Sequence, residues 1–142
     1  MADEPIEIRR VEASNAAVLA RVADDVFDEP VDPERVAAYL AEPGHIMLVA
    51  LSADEVIAQV AAVIHRHPDK PTELYLDEVG VAPEFQRRGL ARRMLDEMFA
   101  IGRAEGCEEA WVGTELDNEP ARKLYESRGG EAEPFVMYVY RL

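Results

Sequence analysis

The chain has little of what would place it in a specialised class of protein. It contains one cysteine, Cys107, so it can form neither an internal disulfide nor a cysteine-based metal cluster. A reducing, cytoplasmic setting is therefore expected. No apolar run could cross a bilayer, and the acidic beginning "MADEPIEIRR" lacks the basic and then apolar layout of a signal peptide. These absences favour one globular domain over residues 1–142.

Basic residues are also scarce. The chain has 15 Lys and Arg against 29 Asp and Glu, a formal net charge of −14. Nucleic acids and anionic membranes need basic protein surface, so neither is expected as a partner, whereas a small cationic amine is compatible. Six acids fall within residues 24–34, "DDVFDEPVDPE", which we call the acidic segment. Two interpretations stay open: a field for a cationic substrate, or a solvated loop.

Hydrophobic periodicity predicts an α/β (α+β) fold in which strands and helices share one core. Strands are predicted at Ile6–Val11, Ile46–Leu51, Val56–Ile64 and Glu73–Val81, and over "CEEAWVGT" and "PFVMYVYRL". Helices are predicted from Ser14 to Val26, from Asp32 to Leu40 and from Gln86 to Glu105, and over "NEPARKLYESRGG". The segment "SADE" between the second and third strands predicts a hairpin turn.

The predicted helix after "ELYLDEVGVAP" opens with "QRRGLA" rather than with acidic residues. Free amides at a helix start carry partial positive charge, and Arg87 and Arg88 would add formal charge to it. Gly89 has no Cβ, so a phosphate could approach its backbone closely. The segment therefore predicts a pyrophosphate cradle, with arginines on a solvated amphipathic helix as the alternative.

Two motifs, in this order, resemble the GNAT superfamily of N-acetyltransferases. The segment "QRRGLA" is similar to its acetyl-CoA signature Q/R-x-x-G-x-G/A, and "NEPARKLYESRG" to N-x-x-A-x-x-L-Y-x-x-x-G. The resemblance implies a GNAT fold: a mixed, mostly antiparallel central sheet flanked by about four helices, with a splay between the fourth and fifth strands. It also implies acetyl-CoA as cosubstrate, no metal, and direct attack by a primary amine in a ternary complex.

Within the superfamily the chain looks most like the small aminoglycoside 3-N-acetyltransferases, an antibiotic-resistance type. Alternatives are a protein, peptide or polyamine N-acetyltransferase, or a catalytically silent acetyl-CoA-binding regulatory module. The resemblance also allows a homodimer, with "FVMYVYRL" as a pairing surface. By the same resemblance the cofactor-binding residues are Val79, Gly80, Val81, Gln86, Arg87, Arg88, Gly89, Leu90, Ala91, Asn118 and Tyr125.

The resemblance also points to the catalytic groups. Glu78 is the expected general base, since strict alternation places it on an apolar face with Leu74, Leu76 and Gly80, where a carboxyl pKa rises. Asp77 is the second choice, because a bulge in the strand would exchange the two faces. Tyr125 is the expected acid for the leaving thiolate, since a phenol stays protonated until the thiolate forms.

Two further features bear on the alternatives. Gly113 occupies the position where some peptide-acetylating relatives carry a catalytic Glu, which weakens the peptide alternative. His65 and His67 lie on one face of a predicted strand, as a pair of metal ligands would. No nearby third ligand is evident, so they are predicted to be solvated histidines at a loop edge.

Overall fold

The computed structural model describes residues 5–142, so the predictions that concern residues 1–4 lie outside it. One five-stranded sheet runs through the molecule: β1 (Ile6–Arg10), β2 (His45–Ser52), β3 (Glu55–His65), β4 (Glu73–Val81) and β5 (Glu109–Trp111). Three α-helices flank it: α1 (Pro33–Ala41), α2 (Leu90–Ala104) and α3 (Glu119–Ser127). Two 3₁₀ segments, Ala13–Ala20 and Pro83–Phe85, complete the secondary structure of the described residues. None of the helices in residues 5–142 is long and apolar enough to span a bilayer.

The strands lie in chain order across the sheet, and the first three pairings are antiparallel. The pairing of β4 with β5 is parallel and covers only three residue pairs, from Glu73 with Glu109 to Tyr75 with Trp111. Beyond Tyr75 the two strands part, although β4 continues to Val81. The mixed, mostly antiparallel sheet and the splay between its fourth and fifth strands are therefore confirmed.

Helix α2 covers one face of the sheet because its apolar residues recur every three or four positions. Leu90, Met94, Leu95 and Met98 are buried against the strands. Gly102 lies so near the sheet that a Cβ there would be 2.9 Å from a side-chain carbon of Leu74. The opposite face is covered by the first 3₁₀ segment and α1.

The first predicted helix, from Ser14 to Val26, is wrong in type and length. A 3₁₀ segment ends at Ala20, and Val22 then forms an isolated parallel bridge with Val56. The Ala23 amide donates a 2.9 Å hydrogen bond to the Val56 carbonyl, so this backbone pairs with the start of β3 rather than with its own preceding turn.

The prediction that the third helix begins at Gln86 is also wrong. Helix α2 begins at Leu90, because Arg87 (φ 63°) and Gly89 (φ 76°) both adopt left-handed backbone conformations that a helix cannot include. Gly89 thus becomes the N-cap residue, and no side chain caps this helix among the described residues.

The predicted last strand, "PFVMYVYRL", is not formed. Residues 130–142 have no regular structure, and the five side chains of Val136–Tyr140 are 74–81% exposed. We call residues 134–142 the tail. The tail pairs with no strand among the described residues, and the nearest strand in the chain, β5, is only three residues long (Glu109–Trp111).

Candidate active site

A bulge in β4 decides which way its acidic residues point. Ala62 of β3 pairs with Leu76, but the next residue, Ala61, pairs with Glu78, so Asp77 is the extra residue. Directly paired residues share a face of the sheet. Glu78 therefore lies on the face opposite α2. The expectation that it shares a face with Leu74 and Leu76 is wrong, because strict alternation stops at the bulge.

Glu78 is half-buried, whereas Asp77 is exposed. Burial, and then the neighbouring negative charges of Asp77 and Asp28, raise the pKa of the Glu78 carboxyl above its usual value. A long hydrogen bond of 3.5 Å from Gln59 Nε2 to a Glu78 carboxylate oxygen opposes this rise by favouring the charged form. The raised pKa expected for Glu78 is thus confirmed, although its surroundings are partly acidic rather than apolar. Asp77 was the second choice for the base in case β4 contained a bulge. The bulge is present, but the Asp77 side chain is exposed to solvent.

The acidic segment crosses the sheet directly over the end of β4. Gln59 Nε2 donates a 3.3 Å hydrogen bond to the backbone carbonyl of Val26, which is buried. A Cβ on Gly80 would lie 2.0 Å from that same carbonyl oxygen, so no side chain fits at this position. The segment is therefore held against β4, and its residue Asp28 acts electrostatically on Glu78.

Two residues of this region, Gln59 and Tyr39, were not predicted from the sequence, and Asp28 was predicted only as part of the acidic segment. Gln59 is 2% exposed, and its Oε1 is buried without a hydrogen-bond partner among the described residues. A sequence signal for Gln59 was available, because it is the one polar residue in the apolar run "VIAQVAAVI".

The Tyr39 hydroxyl donates to the carbonyls of Ile46 (2.9 Å) and Ala62 (3.1 Å). Burial first, and then the charge of Asp77, raise the pKa of this hydroxyl to about 12. Neither Tyr39 nor Asp28 carries a local sequence signal for this placement.

The start of α2 is rich in unused hydrogen-bond donors. No backbone amide from Arg87 to Arg92 donates a hydrogen bond to another group within residues 5–142. No heavy atom lies within 4 Å of the position of a Cβ on Gly89, so the space beside these amides is open. Acidic residues are missing from the first turn of α2, as the sequence shows. This arrangement is a helix N-terminus available to an anion.

The side chains near this helix start differ in what they contact. Gln86 Nε2 donates a 3.0 Å hydrogen bond to the carbonyl of Val81, so Gln86 ties the loop to the end of β4. The Arg88 guanidinium lies 5.2 Å from the centre of the Phe85 ring, a cation–π contact. Arg87 and Arg88 are both exposed and available to an anion at the helix start.

Helix α3 presents the second predicted motif. Asn118 caps it, since its side-chain oxygen accepts a 3.2 Å hydrogen bond from the Ala121 amide, as expected for an N-cap asparagine. Tyr125 is half-buried, and this burial raises the pKa of its hydroxyl above the usual value. Among the described residues its hydroxyl has no hydrogen-bond partner.

Comparisons with known proteins agree with this geometry. A model of the Acetyltransferase (GNAT) family matches residues 16–130. The N-alpha-acetyltransferase RimI of Mycobacterium tuberculosis is 27% identical over 141 residues, covering 98% of this chain and 87% of that protein. An aminoglycoside N(6′)-acetyltransferase type 1 of Salmonella typhimurium is 24% identical over 104 residues, covering 70% of this chain and 72% of its own length.

A solved structure shares the fold. The aminoglycoside acetyltransferase AAC(6′)-Iy, in complex with a bisubstrate analogue that contains CoA, superposes with a TM-score of 0.80. The match covers 97% of this chain and 99% of that chain at 20% identity. The aminoglycoside relatives are thus of the 6′ type, whereas the sequence motifs suggested the 3-N type.

Inorganic pyrophosphate should bind at the start of α2. We expect it to shift the amide NMR signals of residues 87–92, because these donors are unpaired and face open space. Arg87→Gln and Arg88→Gln should each weaken binding by about tenfold or more, since a hydrogen bond to a charged group is worth roughly 1.5–3 kcal/mol. Arg103→Gln, an equal charge change at the other end of the helix, is the control. Equal weakening by all three variants would contradict the assignment.

Proposed function

The chain belongs to the acetyltransferase (GNAT) family, and we propose that it acetylates the primary amine of a small cationic molecule, with an aminoglycoside as first choice. It is an acetyl-CoA-dependent N-acetyltransferase. The acceptor proposal rests on one observation: the acidic segment is held over the end of β4 by Gln59, with Asp28 acting on Glu78. The negative potential of these carboxylates stabilises a bound cationic acceptor and repels an anionic one.

The residues present fit acetyl-CoA, which supplies the acetyl group. The unpaired amides of Arg87–Arg92 and the two exposed arginines at 87 and 88 suit its pyrophosphate. Within residues 5–142 no strand pairs with the edge of β4 that faces β5 from Leu76 to Val81, and this edge suits the amide groups of the pantetheine arm. In this proposal Val79, Gly80 and Val81 line that arm, and the Val79 amide polarises the thioester carbonyl.

Two side chains move protons in the proposed reaction. The acceptor amine must lose a proton to become a nucleophile, and Glu78 accepts it. A raised pKa brings this carboxylate nearer the working pH, which makes it a more effective base. The departing thiolate takes a proton from Tyr125, whose raised pKa keeps the phenol protonated until that moment. Asp77 is the second candidate for the base, although it is exposed to solvent.

Gln59 is a positioning residue in this scheme. Its Nε2 reaches both the Val26 carbonyl and the Glu78 carboxylate, so one amide group fixes the acidic segment and the base together. Its buried Oε1 is left as an acceptor, and such an atom is costly to bury unpaired, by about 1–3 kcal/mol.

A second candidate acceptor is the α-amine of a protein or peptide. It is favoured by the N-alpha-acetyltransferase RimI of Mycobacterium tuberculosis, whose match covers 98% of this chain. Against it, the resemblance places Gly113 at the position where some peptide-acetylating relatives carry a catalytic Glu. Polyamines are a further cationic class of acceptor. For all these acceptors the proposal places the protein in the cytoplasm, where Cys107 stays reduced.

An acceptor panel tests the proposed function. Aminoglycosides, polyamines and short peptides are compared by release of free thiol from acetyl-CoA, and we expect kcat/KM to be highest for an aminoglycoside. Mapping the acetylated product then separates a 3-amino from a 6′-amino acceptor. Asp28→Asn should raise the KM of cationic acceptors by about two- to fivefold, the effect of roughly 0.5–1 kcal/mol from an exposed charge.

The matched control for that variant is Asp69→Asn, an exposed aspartate in the loop between β3 and β4. Asp69→Asn should leave the KM of every acceptor unchanged. A peptide acceptor preferred over all cations would replace the aminoglycoside proposal with the second candidate. Tight acetyl-CoA binding without turnover of any acceptor would rule out every acceptor class in the panel.

Glu78→Gln should lower kcat by about 10²- to 10⁴-fold, the usual contribution of a general base, while acetyl-CoA binding is kept. A base works when deprotonated, so activity of the unaltered enzyme should rise with pH through the raised pKa of Glu78, above the ordinary value of 4.5. This limb of the pH profile should vanish in Glu78→Gln.

Asp77→Asn is the control for the base, because it removes a neighbouring exposed carboxylate. It should lower the pKa of Glu78 and move the acid limb to lower pH, since it removes a like charge. Loss of turnover in Asp77→Asn with full turnover in Glu78→Gln would assign the base to Asp77.

Tyr125→Phe, assayed in parallel, should lower kcat without weakening acetyl-CoA binding.

We also propose that two copies associate through their tails. Five consecutive large apolar side chains, Val136–Tyr140, face water, and isolated proteins rarely expose such a run. The strand β5 offers a free edge, where Trp111 is 45% exposed and stacks on Tyr75 at 4.3 Å. The tail of one copy pairs with this edge in the other, which satisfies the backbone of both.

Sedimentation of the full chain should show a dimer. Tyr138→Asp should shift it to a monomer, because a charge in the tail cannot be buried between sheets without a partner. Leu116→Asp is the control, since Leu116 is 83% exposed and lies outside the tail. A monomeric unaltered chain, or the same dissociation in both variants, would rule out this association.

A further inference from the structure

The end of β3 and the start of β4 bring together a group of nitrogen and oxygen donors that acetyl transfer does not use. His65 ends β3, Glu73 begins β4, and the two are direct partners across the strands. His67 lies two residues beyond His65 in the connecting loop. One ligand atom from each of the three side chains lies within 4.8 Å of the others. The third donor was not evident from the sequence, because Glu73 lies in the next strand and comes beside His65 only through the pairing of β3 with β4.

His67 is the informative member of this cluster. Its side chain is only 12% exposed, so the expectation that both histidines are solvated is wrong for His67. Its Nε2 is buried and has no hydrogen-bond partner among the described residues. The nearest carboxylate oxygen, Glu73 Oε1, is 3.3 Å away but lies outside hydrogen-bond geometry. A buried nitrogen without a partner beside a carboxylate is a position that a cation can satisfy.

The donor set and spacing select the kind of cation. Two imidazoles and one carboxylate are ligands that suit Zn²⁺ and related transition metals, and Mg²⁺ prefers oxygen ligands alone. Zn²⁺ binds such atoms at about 2.0–2.2 Å, which in a tetrahedron puts neighbouring ligands about 3.3 Å apart. The 3.3 Å between His67 Nε2 and Glu73 Oε1 equals this separation. His65 is exposed, and its ring stacks on that of His67 at 4.1 Å. A rotation of the His65 side chain therefore brings its ring nitrogen to the same ion as the third ligand.

We propose that a divalent transition-metal ion of the Zn²⁺ class binds His65, His67 and Glu73, with water in the fourth position. The ion joins the end of β3, the loop at 66–72 and the start of β4, and so stabilises this end of the sheet. Glu73 and Glu78 are five strand residues apart, about 16 Å, so the metal is structural and lies away from the acetyl-transfer site.

Calorimetric titration with Zn²⁺ tests the proposal on untagged protein that has been stripped with a chelator. We expect one equivalent to bind and to raise the Tm, with no such effect from Mg²⁺. His65→Gln and Glu73→Gln should each weaken Zn²⁺ binding by more than about tenfold. His45→Gln, the same change at the remaining histidine, should leave binding intact. Co²⁺ should give the intense visible bands of a tetrahedral site.

Two results would overturn the proposal. One is unaltered Zn²⁺ affinity in both His65→Gln and Glu73→Gln, which would place the binding elsewhere. The other is no saturable Zn²⁺ binding by the unaltered chain. The His65 side chain is exposed and makes no hydrogen bond within residues 5–142, so its replacement removes one donor and the ring contact with His67 but no buried group. Acetyl transfer should be the same in His65→Gln and the unaltered enzyme, since the two sites are separate.

Discussion

The separation of β4 from β5 is the constraint on which the rest of the arrangement depends. The two strands share three residue pairs and then diverge, which leaves the second half of β4 with an unpaired edge. Unpaired backbone groups inside a protein require partners, so this edge is stable only if water or a ligand occupies it. The helix start at Gly89 follows the same strand along the chain, after the short 3₁₀ segment Pro83–Phe85. One divergence therefore brings an open edge and an open helix start to the same place.

Close packing on the opposite face supports this opening. Gly80 permits the Val26 carbonyl to approach β4 more closely than any other residue could, and Gln59 holds that carbonyl from β3. The loop between the first helical segments is thereby fixed beside Glu78. A surface loop would ordinarily move independently of the sheet. Here its residue Asp28 lies near enough to act on the Glu78 carboxylate. The negative charge that would attract a cationic substrate therefore also raises the pKa of Glu78.

Local patterns predicted much of this molecule, and non-local pairing explains what they missed. The apolar stripe of α2 through Met94 and Met98 and the cap at Asn118 depend on residues a few positions apart, so the sequence is sufficient. The bulge at Asp77 depends on which residue of β3 stands opposite, and no property of "ELYLDEVGV" indicates it. The same holds for Glu73 beside the histidines. The tail was predicted as a strand from its composition, but a strand forms only by pairing, and the tail pairs with no other strand among residues 5–142.

The bulge at Asp77 also bears on how this enzyme tolerates change. Because Asp77 is the extra residue, Glu78 pairs with Ala61 whatever side chain stands at 77. Replacement of residue 77 therefore preserves the orientation of the carboxylate. Deletion of that residue would restore regular pairing with β3 without moving Glu78 away from Ala61, and the free edge would lose one backbone unit. Substitution and deletion of residue 77 therefore have different consequences. A substitution alters the charge near the Glu78 carboxylate, and a deletion shortens the unpaired edge of β4.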